Sequence, residues 1–391
     1  MIEQQIQRFQ DFFHSDPSVL ASAPGRINII GEHTDYNGGY VLPAAIQLRI
    51  HVLAARRQDD FVHARAENFG ETASFSLDSL ASSRKALWTD YVQGVCWVLK
   101  EEGLHLAGLD LLIWGDVPLG AGLSSSAALE ISLLKALTGL FDIALPPEKI
   151  ARLGQKAEHE FAGVQCGLMD QFVSVFGRRN QALFLDCETL AYEYYPLNLE
   201  KAGVLLLVYD TQVRRALAAS EYNKRRREAG AALDVLKIKG VTGYKEATLA
   251  MLKSARAEME AVPFRRARHI ISEDDRVKLT VEALKRDDFP SVGRYLFQSH
   301  ESLRDDYEVS CAELDLVHDL GRDFPGCLGA RMVGAGFGGS AIILVEASAA
   351  GAFKEKALEA AERKGFPKPV FRDIRVGEGA SAIILNKNGR P

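Results

Sequence analysis

Ile2, Ile6, Phe9 and Phe13 recur at helical spacing among polar residues, so 2–13 predicts an amphipathic helix. Ile27, Ile29 and Ile30 mark a short strand, and the Gly-, Asn-, Asp- and His-rich segment after it predicts an irregular loop up to Tyr40. Alternation over 41–56 and 61–77 predicts strands, and 88–101 predicts a helix. Trp88 and Tyr91 stand at i and i+3 on that helix, a spacing that suits core packing and an adenine-facing wall alike. The apolar run 109–114 reads as a strand and 127–140 as a helix, with a second helix over 146–161. Strands follow at 183–186 and 204–209, and the domain boundary falls between them, near residue 195. From 210 to 310 the chain is chiefly helical and charged, broken at 240–243 and at Pro263, before a glycine-rich loop leads into a strand at 341–345.

The loop between strand 109–114 and helix 127–140 carries Gly120, Ala121, Gly122, Leu123, Ser124, Ser125 and Ser126. Glycines let backbone approach a ligand, and serines at a helix N-terminus add hydroxyls and N–H groups where the dipole is positive, which suits a polyphosphate anion. An ordinary turn with a serine cap is the plainer reading, but two glycines and three serines exceed what one cap needs. No G-x-x-x-x-G-K-[ST] occurs, so this is not a Walker loop. Residues 334–339 match G-x-G-x-x-G, yet a strand follows instead of a helix. What remains there is a close backbone approach to a ligand or to another loop. His159-Glu160 lacks the second histidine of a zinc site. Asp170 adjoins Phe172, Val173 and Val175, where an unpaired carboxylate is costly, so it has a partner or a task unless it caps a helix. Arg26, Glu32, His33 and Asp35 crowd donors and acceptors into one loop that could line a polyol pocket.

At 391 residues the chain predicts two domains, 1–195 and 196–391. Its 47% hydrophobic and 25% charged residues describe a soluble globular protein, and a net charge of −5 offers no basic field for nucleic acid. The run 224–227 is flanked by Glu221 and Glu228 in a helical pattern and reads as a solvated face. Five scattered cysteines without a C-x-x-C pair argue for reduced thiols. With neither a signal-like apolar core nor a membrane-length run, the expected location is the cytoplasm, without a membrane partner.

Three glycine-bearing stretches, 25–39, 120–130 and 329–339, resemble in order the signatures of the GHMP small-molecule kinases, and the first resembles the galactokinase signature almost residue for residue. Segments 158–171, 220–223 and 299–307 are similar to galactokinase segments as well, so the resemblance spans most of the chain. It implies an α+β, two-domain GHMP kinase fold. The N-terminal domain would be ribosomal-protein-S5-like and the C-terminal one ferredoxin-like, with the active site between them. It implies ATP-dependent phosphorylation of the C1 hydroxyl of galactose, the entry step of galactose catabolism, by a monomer using Mg²⁺. Arg26, Glu32, His33, Asp35, Gly167, Asp170 and Tyr222 would face the sugar, with Asp170 as base and Arg26 beside it. Residues 120–126 would hold ATP, Ser126 and Glu158 would hold Mg²⁺, and Trp88 would lie near the adenine. Other members act on N-acetylgalactosamine or arabinose, and some similar proteins sense sugar without turnover; the serine/alanine run altered in those is intact here at 124–128. Ala335, Ser340, Gln165 and Ala312 depart from the usual pattern, and Gln165 adjoins the loop of the expected base.

Overall fold

A computed structural model describes residues 2–80, 87–214 and 218–386. Its first half is organised on a six-stranded sheet. In spatial order the strands are Ser381–Ile384, Val19–Asn28, Pro43–Arg56, Leu109–Gly115, Phe61–Ala66 and Glu71–Ser76. Only Phe61–Ala66 and Leu109–Gly115 run parallel; the other neighbours are antiparallel. The stretch expected as strand over 61–77 is thus two strands, reversed at Gly70 with φ 65°. A three-stranded sheet of Tyr40–Val41, Gln181–Asp186 and Tyr192–Pro196 completes this half.

The helix Ser125–Leu140 packs on the strands Val19–Asn28 and Pro43–Arg56 and is buried on nearly every face. That follows from its sequence, which is apolar all round instead of along one stripe. The helix Pro147–Ala157 does not continue as an α-helix to 161: it passes into a π-helical turn, Glu158–Ala162, which ends at Gly163 with φ 77°. Such turns concentrate at functional sites.

The second half carries a four-stranded antiparallel sheet in the order Cys327–Val333, Ser340–Glu346, Val204–Asp210, Val370–Ile374. This is the ferredoxin-like arrangement. Both faces are covered, which is why 204–209 and 341–345 read as unbroken apolar runs. Leu206, Val208, Ile342 and Leu344 join the core of the first half, while Leu207, Tyr209, Ile343 and Val345 face the helices of the second. Among these helices, Ala261–Leu284 packs against Ala218–Ile238 and Phe289–Ser302. Pro263 falls in its first turn, where the missing N–H costs nothing. Residues 215–217 of the predicted helical stretch lie outside the described residues. The strand Ser381–Ile384 returns to the first sheet, beside Val19–Asn28, so the last part of the chain packs with its beginning. Among the described residues no helix is long and apolar enough to cross a membrane.

Candidate active site

A break in strand register sets Arg26. Val19–Asn28 pairs regularly with Pro43–Arg56 as far as Pro24 and resumes at Arg26, with Gly25 opposite the three residues 46–48 of the partner strand, which carries the bulge. Gly25 is required at the bulge, because a Cβ there would lie 2.6 Å from the Leu123 carbonyl oxygen. The buried Arg26 guanidinium meets Asp170 two-pronged, Nε to Oδ1 and Nη2 to Oδ2, both at 2.8 Å. Its Nη1 donates to the Gly122 carbonyl at 2.6 Å. Asp170 is the second residue of the helix Met169–Phe176, whose cap is Leu168, so capping is not its task. It accepts a further bond from Ser124 Oγ at 2.5 Å. Burial opposes the Arg26 charge, but Asp170 and then Glu32 outweigh it and push the guanidinium pKa up. The glycine-serine loop therefore touches both members of the Arg26–Asp170 pair.

Arg26 and Asp170 form one wall of a cavity of about 250 Å³. Glu32, His33, Asp35, Glu158 and Tyr222 line the rest, with Val164, Cys166, Met169, Gly334 and Ala335. Every residue expected to face the sugar lines it except Gly167, and Gly167 adjoins Asp35 so closely that a Cβ would sit 1.9 Å from Asp35 Oδ2. Burial, then Asp170 and Glu32, push the Asp35 carboxyl up to about 7. His33 is pulled down to about 3 by burial and by His269, so its imidazole is neutral. It holds a left-handed backbone, φ 64°, with Nδ1 2.8 Å from the Tyr36 hydroxyl and its ring 5.6 Å from that of Tyr222. Glu32 is buried and engaged throughout: Oε1 accepts from Arg331 Nη2 at 3.0 Å and from Gly334 N at 2.8 Å, and Oε2 from Asn28 at 3.1 Å.

The glycine-serine loop has Gly120 and Gly122 at φ 63° and 75°, and Ser124 in the same left-handed region at 57°. That conformation costs a non-glycine residue about 1–2 kcal/mol and marks stored strain at the site. Gly122 abuts the second glycine loop, since a Cβ would meet the Val333 carbonyl at 2.7 Å, and reciprocally a Cβ on Gly334 would lie 3.0 Å from Gly122 Cα. Gly334 thus serves a loop-to-loop approach, whereas Gly336 and Gly338 admit the carbonyls of Val309 and Val213. Arg214 crosses Gly120 and is anchored by Asp210 at 2.8 Å.

Beneath the loop, Ser126 stands beside Glu158, whose Oε2 accepts from Gln171 Nε2 at 2.7 Å and Cys166 Sγ at 3.3 Å. The same Gln171 amide reaches Glu130 Oε2 at 3.0 Å. Burial and Asp170 push Glu158 up to about 7; burial and Glu158 push Glu130 well above the carboxylate range. Glu130 Oε1 is buried without a hydrogen-bond partner. Crowded carboxyl oxygens that a cation would help to ionise, beside a serine hydroxyl, are hard donors that fit Mg²⁺, which typically takes one or two protein oxygens and completes its shell on phosphates and water. Accordingly, among the described residues no three His, Cys, Asp or Glu are grouped to hold a metal alone. Trp88 is not brought to the cavity: it packs half-buried on the main core, its indole N–H donating to Glu71 at 2.6 Å.

Arg331, Glu130 and Gln171 were not singled out from the sequence. An arginine inside the otherwise apolar strand Cys327–Val333 is a readable signal of a buried partner. For Gln171 the sequence offers nothing beyond adjacency to Asp170.

This fold and this site, a polar cavity beside a glycine-serine helix N-terminus, define a GHMP-type small-molecule kinase. Residues 90–178 match the GHMP kinases N terminal domain, 280–363 the GHMP kinases C terminal and 7–56 the galactokinase galactose-binding signature. A galactokinase of Thermotoga petrophila is 42% identical over 93% of this chain and 100% of its own, and one of Staphylococcus carnosus 41% over 98% and 100%. The crystal structure of Lactococcus lactis galactokinase complexed with galactose superposes with a TM-score of 0.92 at 36% identity, covering 97% of this chain and 99% of that one. The chain belongs to the galactokinase family and is a kinase.

Proposed function

We propose that the chain transfers the γ-phosphoryl group of ATP to the C1 hydroxyl of galactose in the cavity walled by Arg26 and Asp170. The observation that carries this is the Arg26–Asp170–Ser124 contact, which joins a carboxylate in a polyol-sized polar cavity to the loop suited to phosphate. The sugar O1 bonds to the γ-phosphorus, the bond from that phosphorus to the β–γ bridging oxygen breaks, and ADP leaves. The hydroxyl proton passes to Asp170. Such transfers run mainly on positioning and charge neutralisation. Arg26 orients the Asp170 carboxylate and sets positive charge beside the transferring group. Residues 120–126 offer N–H groups and hydroxyls to the phosphates, Ser126 and Glu158 would hold Mg²⁺ to neutralise them, and Trp88 would border the adenine. Glu32, His33, Asp35 and Tyr222 select the sugar, because an acceptor built for one hydroxyl is left unpaired when that hydroxyl points elsewhere. We assign the two domains to 1–195 and 196–391, apart from the returning strand Ser381–Ile384, and the working form to a cytoplasmic monomer.

A coupled ADP-release assay with galactose, N-acetylgalactosamine, arabinose and glucose tests the assignment, with galactose expected to give the highest kcat/KM. Sugar binding by calorimetry without turnover of any sugar would overturn it.

Two further results are expected. Asp35 titrates near 7, and its ionised form is the better acceptor for a sugar hydroxyl. Since the acid is protonated below that pH, KM for galactose should rise roughly tenfold from pH 8 to pH 6, following the ionised fraction, and Asp35→Asn should flatten the profile. In Gly167→Ala the new methyl must displace the Asp35 carboxylate. KM for galactose should then rise roughly 10- to 100-fold with KM for ATP little changed, and equal galactose KM values in variant and parent would disprove this.

A further inference from the structure

The sugar-facing loop is held from outside its own half. Both its ends and its first acidic residue are bound by side chains of one helix, Ala261–Leu284. Glu273 Oε1 accepts from the Gly31 N–H at 3.0 Å. Asp274 Oδ1 accepts from the Tyr40 N–H at 2.8 Å. His269 Nε2 lies 3.0 Å from the Glu32 carbonyl, which can only accept, so that nitrogen carries the proton and Nδ1 accepts from Ser302 Oγ at 2.9 Å. These three groups bracket 31–40, the segment that carries Glu32, His33 and Asp35 into the cavity.

The fit is tight on both sides. A Cβ at Gly39 would lie 2.4 Å from Asp274 Oδ1, and one at Gly31, where φ is 101°, would meet Val277 Cγ2 at 3.0 Å. Gly31 and Gly39 therefore admit this helix, just as Gly167 admits Asp35. All three clamping side chains are buried, and Glu273 is itself held by Ser299 Oγ at 2.6 Å and Arg276 Nε at 2.7 Å. Burial opposes its charge, but Arg276, then His269, keep its carboxyl down at about 2, so the acceptor for Gly31 is a permanent carboxylate.

We propose that His269, Glu273 and Asp274 are positioning residues for sugar recognition: they fix the 31–40 loop from the second half of the chain, and loosening them weakens sugar binding without touching the phosphate site. This rests on the cavity being the galactose site, as proposed above. An acceptor held in place costs less to order on binding than one free to move, so the clamp's contribution falls on KM for the sugar.

The test uses the full chain with Glu273→Ala and Asp274→Ala, beside Glu273→Gln and Asp274→Asn, which keep an oxygen facing the N–H. Steady-state kinetics should show KM for galactose raised about tenfold or more in the alanine variants, the loss of one hydrogen bond to a buried carboxyl group, with kcat and KM for ATP within about threefold. Asp274→Asn should recover most of the effect. Amide hydrogen exchange gives a readout independent of activity: protection should fall at Gly31 and Tyr40 while the helix Ala261–Leu284 stays protected. Unchanged exchange at those two amides overturns the clamp even if no sugar is turned over, whereas local deprotection in a parent inactive on galactose overturns only the substrate assignment. Deprotection of the whole helix, or equal losses in kcat and both KM values, also overturns it, since a merely structural role would do that; if the alanine variants do not fold, the same measurements on Gly39→Ala, whose methyl must push the Asp274 carboxyl off the Tyr40 N–H, decide.

Discussion

Asp170→Asn should lower kcat by about 10²- to 10⁴-fold, the usual range for removing a positioned proton acceptor, while leaving KM for ATP nearly unchanged. Asparagine keeps the volume and a carbonyl oxygen toward Arg26, so the guanidinium retains that contact and its bond to Gly122. What disappears is the negative charge and the capacity to take the sugar's hydroxyl proton. Alanine is the less informative choice: it strands the buried Arg26 charge, and breaking a buried pair in that way costs about 3–5 kcal/mol, so lost activity would mix with lost stability. The measurement is kcat at saturating galactose and ATP, with thermal unfolding of the same preparation as the control. A kcat within a few-fold of the parent in a folded Asp170→Asn protein sinks the base assignment and shifts the chemistry to phosphate positioning alone. Ser124 provides an internal comparison, because it bonds the same Oδ2 from the loop side and its loss removes an orienting contact without removing the acceptor.

The site was legible in sequence wherever its logic is local. Gly120, Gly122 and the three serines announce a close-approach loop opening a helix because backbone conformation and helix-end polarity are properties of neighbouring residues. Asp170 could be marked as needing a partner because an apolar flank raises the cost of a lone carboxylate. The choice between a cap and a task was not available until Leu168 proved to be the cap. Most of the fold was legible for the same reason, since period 2 and period 3.6 are local patterns. Two kinds of feature were not. The reversal at Gly70 and the π-helical turn at Glu158 depend on which alternative a near-degenerate segment takes when packed, and periodicity does not weigh that. Contacts made across hundreds of residues leave no spacing to read: Arg331 with Glu32, Glu273 with Gly31, and the strand Ser381–Ile384 beside Val19–Asn28. Each joins a residue of the second half to the sugar-facing half, so the sequence shows what the cavity contains better than what holds it open.

Arg331→Met should destabilise the chain by about 3–5 kcal/mol, the cost of breaking a fully buried ion pair by removing one partner. Arg331 is fully buried, donates through Nε to the Ile29 carbonyl at 2.8 Å and through Nη2 to the Asn28 carbonyl, and pairs with Glu32 at 3.0 Å. Methionine of similar length fills the space but leaves a buried carboxylate and two carbonyls without their donor. The desolvation of Glu32, not the lost attraction, is then the main cost, and that makes a sharper statement possible. Adding Glu32→Gln removes the stranded charge and keeps an oxygen for the Gly334 N–H; its amide N–H takes the place of the oxygen that accepts from Asn28 Nδ2, so the Asn28 amide turns over to present Oδ1, which is buried without a hydrogen-bond partner. The double variant should therefore be more stable than Arg331→Met alone, by urea denaturation or thermal melting, although it carries one change more. Independent additive losses would show that Arg331 acts through its carbonyl bonds and that its charge does not matter. The stability recovered by the double variant should not restore sugar use, because Glu32 also lines the cavity, and KM for galactose is expected to remain raised where the melting temperature has partly returned.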